Sequence, residues 1–387
     1  MLMPSPEVQK RLEEYQTIDA VEEKALKLEW RRAKRRNRLI RTFAGLALIG
    51  SGVNSYAQDV FANQAIEASA SVTVELKGKA LDESNNDKGL IFIDGFGTDN
   101  ADSNAKFYGE AIQPVIDGRL LSVDYNNAPL DPVDIAEEII DTVVPLGINT
   151  VSFVGHSAGG DIAMLVQEEL RKNSMLTIES IILISTPNGV ESLRQARQNE
   201  IDLIKWVEWI PGVEYSSPIR LIGELAMRAD SYTHGKDLQE NIDNFFTTKE
   251  NIQTNLDNEN LPGMWLMFDQ KLAIENADLQ DRINKIAELP PDTIRPTIIY
   301  LGSKPYDPIV NTEKSAEEIG GYIKDTDIPY FVYEVPGAVH SRPDINEGYI
   351  TTLEGARNEI RASIKAQQTK AALYGAQDIL TPSGTPK

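Results

Sequence analysis

Ser157 stands in Gly155-His156-Ser157-Ala158-Gly159, a G-x-S-x-G pattern at the point where two kinds of sequence meet. Before it, residues 150–154 form an apolar, β-branched run of strand length. After it, Ile162, Met164, Leu165 and Leu170 continue as a helical pattern. A strand that turns sharply into a helix strains its central residue, and side chains two positions away would clash; glycine has none. The pattern therefore predicts a serine hydroxyl lifted clear of a sheet, at a helix N-terminus whose N–H groups face incoming negative charge. Such a hydroxyl is a poor nucleophile without a base to take its proton and an acid to orient that base. The chain has 3 histidines. His156 lies in the turn itself, and its side chain is expected to point away from the serine and pack. His234 is expected on the surface of a helical stretch. His340 lies in Val335-Pro336-Gly337-Ala338-Val339-His340-Ser341, a loop after the last strand-like run.

At the strand–turn–helix carrying this serine the chain resembles the α/β-hydrolase family. The resemblance covers roughly residues 72–370, less a helical stretch inside them. It implies a nucleophile, acid and base in that chain order. Ser157 is then the nucleophile and His340 the base. Asp307, in Gly302-Ser303-Lys304-Pro305-Tyr306-Asp307-Pro308-Ile309-Val310, is the acid, with Asp344 an outside candidate. The N–H groups of Ala158 and Phe96 would form an oxyanion hole. Here the chain departs from the family: it has Asp94-Gly95-Phe96-Gly97 where a His-Gly pair or His-Gly-Gly-Gly stands in relatives. The implied activity is hydrolysis of a small-molecule or lipid carboxylic ester through an acyl-enzyme, without a cofactor. A serine peptidase or thioesterase would use the same triad, and a non-catalytic binding protein could keep the fold alone.

These residues need a scaffold to bring them together. Residues 71–76, 89–93, 119–125, 179–185, 297–301 and 330–335 read as strands, several of them continuous apolar runs, and residues 132–144 read as an amphipathic helix. Continuous apolar strands separated by helices predict an α/β fold with a mostly parallel sheet covered by helices on both faces. Residues 72–189 and 290–370 would form this core. Residues 190–289 lack strand runs and read as a helical insertion, which in the family would be a lid or cap. Trp206, Trp265 and Phe268 from it are expected to line an acyl pocket. A last helix is expected from Glu347 into the 360s, with a disordered tail over 371–387.

Composition narrows the partners. The 387 residues carry a net charge of −21 and no cysteine, which argues against nucleic acid and excludes disulfides and thiolate metal sites. Three scattered histidines make no zinc site, and the acidic turn at 99–102 lacks calcium-loop spacing. Residues 1–41 hold 11 of the 38 Lys/Arg and 7 of the 59 Asp/Glu, a balance of +4 against −25 for the rest. This basic leader precedes an uncharged stretch, 42–57, which reads as a signal-peptide h-region ending at Ser55-Tyr56-Ala57 or as a membrane anchor. Either reading predicts an exported acidic domain, with membrane association through the anchor, joined by a small-residue linker over 58–71.

Overall fold

The apolar runs pair into one sheet. The computed structural model describes residues 53–99, 101–173, 176–195, parts of 197–225, and 238–257, 264–304, 307–338, 340 and 347–380. The strands are β1 (Thr73–Gly78), β2 (Lys88–Ile93), β3 (Arg119–Asp124), β4 (Thr150–His156), β5 (Thr177–Ile184), β6 (Thr297–Lys304) and β7 (Tyr330–Pro336). They form a 7-stranded sheet of order β1-β3-β2-β4-β5-β6-β7. β1 is antiparallel to β3, and every other pairing is parallel. The helices are α1 (Val53–Ser69), α2 (Asp102–Ile112), α3 (Pro132–Val143), α4 (Ala158–Asn173), α5 (Leu238–Asp257), α6 (Met264–Asn276), α7 (Leu279–Ala287), α8 (Thr312–Ile323) and α9 (Glu347–Leu380).

Alternation along the strands builds two cores. Ile91 and Ile93 of β2 face one, with α3, α4, α6, α7 and α8. Leu90 and Phe92 face the other, with α2 and α9. Helix α3 shows why these segments are helical. Asp131 caps it by accepting from the Val133 N–H at 2.8 Å, and Pro132 fills the first turn, where its missing N–H costs nothing. Ile135, Ile139 and Val143 then recur every fourth residue and are fully buried. Each such side chain contributes about 1.5–3 kcal/mol, and Ile139→Ala would cost about 2–5 kcal/mol. The chain leaves β2 toward β3 on one side and reaches β4 on the other, so the strand order reverses at β2. The carboxyl ends of β2 and β4 therefore flank a crevice of the kind in which open α/β sheets hold ligands. This sheet, with a serine turn after β4, has the architecture of the α/β-hydrolase fold.

By its contacts the chain divides into a unit of Met1–Gln58 with Ser216–Asp257, and a larger unit of Asp59–Tyr215 with Asn258–Lys387. The described part of the first includes α5 and a buried ion pair between Arg220 and Glu224 at 2.6 Å. The second contains the whole sheet.

Three segments differ from the sequence expectations. Residues 58–69, expected as linker, are helical. They lack glycine and proline and are rich in alanine, the best helix former, and no strong apolar stripe marks them. Asn63 Nδ2 donates to the Tyr215 carbonyl at 2.6 Å and Glu67 accepts from the Tyr215 hydroxyl at 2.6 Å, which anchors the helix. Second, α6 and α7, expected within the insertion, bury Trp265, Leu266, Ile283 and Ile286 in the core against the sheet. Third, α9 runs through Gly375 to Leu380, where a disordered tail was expected from residue 371. One glycine costs a helix only about 1 kcal/mol, and α9 is held by buried Ala371 and by Lys370 on Asp327 at 2.9 Å. The basic leader and most of the apolar stretch at 42–57 lie outside the described residues, as do 381–387. α1 begins inside that apolar stretch and runs through Ser55-Tyr56-Ala57. Among the described residues no helix is long and apolar enough to cross a membrane.

Candidate active site

The turn between β4 and α4 holds Ser157 at φ +54°, in the left-handed region that costs a non-glycine residue about 1–3 kcal/mol. Close packing over-determines it. A Cβ on Gly155 would lie 2.4 Å from the Gly160 Cα, and one on Gly159 would lie 2.2 Å from the Ile93 carbonyl oxygen. The Ser157 N–H donates to Ile184 O at 2.8 Å, and Gly160 N–H donates to Ser157 O at 3.0 Å. The result is a hydroxyl at the carboxyl end of the sheet, next to the first turn of a helix.

Two loops bring a base and an acid to it. The loop after β7 turns at Gly337, at φ +74°, whose N–H donates to Lys304 O at 2.9 Å. It delivers His340 with Nε2 3.1 Å from Ser157 Oγ. The loop after β6 delivers Asp307, whose Oδ2 lies 2.9 Å from His340 Nδ1. Asp307 Oδ1 accepts from the N–H groups of Ile309 and Val310, both at 2.9 Å, which fixes the carboxylate plane. With Nδ1–H donating to Asp307, the neutral imidazole presents Nε2 as the acceptor for the serine hydroxyl. Burial pushes His340 below the 6.5 usual for imidazole; Asp307 opposes this, while His156 and Arg197 add to it. Burial pushes Asp307 upward, but its bonds to His340, Val310 and Ile309 outweigh that and leave it below the usual carboxylate range. Both shifts favour a carboxylate beside a neutral imidazole at neutral pH.

The loop after β2 lies against this turn. A Cβ on Gly95 would come 2.7 Å from His156 O and 2.8 Å from Ala158 N, so only glycine permits the approach. Several of its N–H groups are used within the protein. Gly95 N–H donates to Asp94 Oδ1 at 2.7 Å, Gly97 N–H to Gln270 Oε1 at 2.8 Å, and Thr98 N–H to Gly95 O at 3.3 Å. Among the described residues the Phe96 N–H is bonded to no acceptor. The Ala158 N–H, at the start of α4, is in the same condition. Two donors thus remain for a ligand.

Several contributors were not read from the sequence. His156, expected as plain packing, has Nδ1 3.0 Å from Asp94 Oδ1, and its ring centroid lies 5.0 Å from that of His340. Asp94 O also accepts from the Tyr125 hydroxyl at 2.8 Å. An acidic residue closing a buried strand needs a partner, and that need could have pointed from Asp94 to His156. Gln270, fully buried on α6, had no local signal at all. Trp265 is built into the core: its indole N–H donates to Asn127 O at 2.7 Å and its ring packs on Tyr215 at 5.8 Å. Phe268 is half-buried on the same helix. Neither shares a hydrogen bond with Ser157, His340 or Asp307. Trp206, His234 and Asp344 lie outside the described residues. Among the described residues no group of three or more acidic or histidine side chains is placed to hold a metal ion.

No family model matches the sequence. No curated protein matches it either. Solved structures with a similar chain trace include a highly thermostable carboxyl esterase from Bacillus coagulans, at 12% identity over 77% of this chain and 96% of that one, with a TM-score of 0.49. They include work on carboxylesterases of the ammonia-oxidizing thaumarchaeon Nitrososphaera gargenis, at 13% identity over 76% and 97%, TM-score 0.44. A proline iminopeptidase-related protein from Thermus thermophilus is similar at 15% identity over 78% and 96%, TM-score 0.43. At such identities these likenesses assign neither substrate nor site residues.

Proposed function

We propose that this protein is a serine hydrolase that cleaves carboxylic esters through an acyl-enzyme on Ser157. The observation that carries this is one continuous hydrogen-bonded path, from Ser157 Oγ through His340 to Asp307, ending on a serine held in strained backbone geometry. In the proposed reaction His340 Nε2 takes the hydroxyl proton as Oγ attacks the substrate carbonyl carbon. Asp307 holds the imidazole in the needed tautomer and stabilises the imidazolium without taking its proton. The carbonyl oxygen becomes an oxyanion between the N–H groups of Phe96 and Ala158, each such donor contributing about 10²–10³ in rate. The intermediate then collapses: His340 returns the proton to the leaving alcohol, and the acyl group remains on Ser157. Water, activated by the same histidine, releases the acid.

No metal or cofactor is needed for any of these steps. The basic cluster before the uncharged stretch at 42–57 supports export of the domain that carries them. The test is a matched series of ester, thioester and amide substrates sharing one acyl group. Ester turnover that disappears in Ser157→Ala is the expected result. Turnover of the amide alone would replace ester hydrolysis with peptidase chemistry.

A further inference from the structure

The loop that carries the Phe96 N–H is a β-turn, Gly95-Phe96-Gly97-Thr98, closed by Thr98 N–H donating to Gly95 O at 3.3 Å. Gly97, its third residue, has φ +82°, which makes the turn type II. The central peptide of such a turn, between Phe96 and Gly97, is its weak point. It can rotate between type I and type II orientations while the turn's ends stay nearly in place. The Phe96 N–H lies in the peptide before it, so the direction of that N–H depends on how the turn as a whole is held.

Gln270 touches this turn twice. Its Oε1 accepts from the Gly97 N–H at 2.8 Å, and its Nε2 donates to the Thr98 carbonyl at 2.8 Å. The first bond fixes the central peptide in its type II orientation. The second fixes the peptide between Thr98 and Asp99, so the turn as a whole is tied to α6. Gln270 is fully buried, so both bonds are shielded from competing water. Its helix is anchored close by: Asp269 Oδ2 accepts from the Leu130 N–H at 3.0 Å, and the Trp265 indole donates to Asn127 O at 2.7 Å. From these contacts we infer that Gln270 is a positioning residue for the oxyanion hole. It acts through the turn and touches neither Ser157 nor the substrate carbonyl. It also occupies the Gly97 N–H, so that neighbouring donor is not offered in place of the Phe96 N–H. This inference rests on the ester-hydrolase reading, in which the Phe96 N–H binds the oxyanion.

The experiment compares the full-length protein with Gln270→Met, which keeps volume and removes both bonds, and with Gly97→Ala, which strains the same turn without touching α6. Four quantities are read: kcat and KM for p-nitrophenyl butyrate, the inhibition constant of phenylboronic acid, and deuterium uptake of the peptide covering 94–99. In Gln270→Met kcat should fall roughly ten- to hundredfold with KM within about twofold, because a misplaced group costs on that order. The boronic acid, whose adduct on Ser157 presents an oxyanion, should weaken by the same factor. Uptake at 94–99 should quicken while that of β5 stays unchanged. Gly97→Ala should show the same split between kcat and KM. Unchanged kcat with unchanged uptake overturns the inference. So does a lower kcat with unaltered boronic acid binding, which would mark Gln270 as structural support only. If the wild type shows no Ser157-dependent turnover, the hydrolase reading fails by itself; the uptake comparison then decides whether Gln270 holds the turn.

Discussion

Gly95→Ala puts one methyl group where the loop after β2 meets the serine turn. Gly95 does not have a positive φ, so alanine meets no backbone penalty there and the effect comes from space alone. The new Cβ would sit 2.7 Å from His156 O, 2.8 Å from Ala158 N and 3.0 Å from Ser157 Cβ. Ordinary contact begins near 3.4 Å, so against Ala158 N the methyl is roughly 0.6 Å too close. All three neighbours belong to the over-determined turn, two of them backbone atoms, and cannot give way. The loop must retreat instead, and it takes the Phe96 N–H with it. Overpacking of this kind costs about 1–3 kcal/mol of stability, which a domain of this size should survive. A displacement approaching 1 Å at reacting groups costs on the order of 10²-fold in rate, equivalent to about 2.7 kcal/mol of transition-state stabilisation. The expected result is a folded protein whose kcat for a p-nitrophenyl ester falls about a hundredfold while KM changes little. Steady-state kinetics and a melting curve measure both parts. Wild-type kcat in a folded Gly95→Ala protein would refute a Phe96–Ala158 oxyanion hole, since the two donors could not both keep their places.

Asp307→Asn should lower kcat by about 10⁴, through loss of the tautomer that presents Nε2 to the serine, whereas Asp344→Asn should lie within a few-fold of wild type; parallel kinetics on the two variants decide which carboxylate is the acid. The acid limb of kcat/KM reports protonation of His340, which must be neutral to act as base. Because burial lowers this group, activity should persist at pH 6.5 and be lost only as pH falls through a midpoint below that value, measured with a neutral ester; a midpoint above 6.5 would contradict the buried base. Protease added to intact cells should reach the sheet-bearing unit, as the basic cluster ahead of residues 42–57 implies, and complete protection of the full-length chain inside the cytosol would refute export.

What could be read from the sequence depended on how far apart the cooperating residues lie. The serine turn was legible because its demands are local: Gly155 and Gly159 stand two residues from Ser157, where a side chain would strike the Gly160 backbone and Ile93 O. His340 and Asp307 were legible through chain order and position after strand ends, which the resemblance supplied. The Asp94–His156 pair spans 62 residues and the Gln270–Gly97 bond 173, and no period or motif links such positions. Strands were read well because continuous β-branched runs have few other uses. Helices α1 and the end of α9 were missed for the opposite reason. Their alanine- and glutamine-rich sequences carry little apolar stripe, and their order comes from single contacts such as Asn63 on Tyr215 O and Lys370 on Asp327. Residues 264–287 read as part of a lid because they are helical between two strands; only packing shows that Trp265, Leu266 and Ile283 face the sheet core.

A fluorophosphonate is attacked by an activated serine and forms a stable adduct, so it tests the nucleophile without assuming any natural substrate. Wild-type protein treated with the probe should gain one adduct mass, and peptide mapping should place it on Ser157. His340→Ala should label orders of magnitude more slowly, because Ser157 and His340 act as a unit, and Ser157→Ala should not label at all. No adduct on folded wild-type protein, or an adduct on another residue with ester turnover retained in Ser157→Ala, would contradict a nucleophile at Ser157.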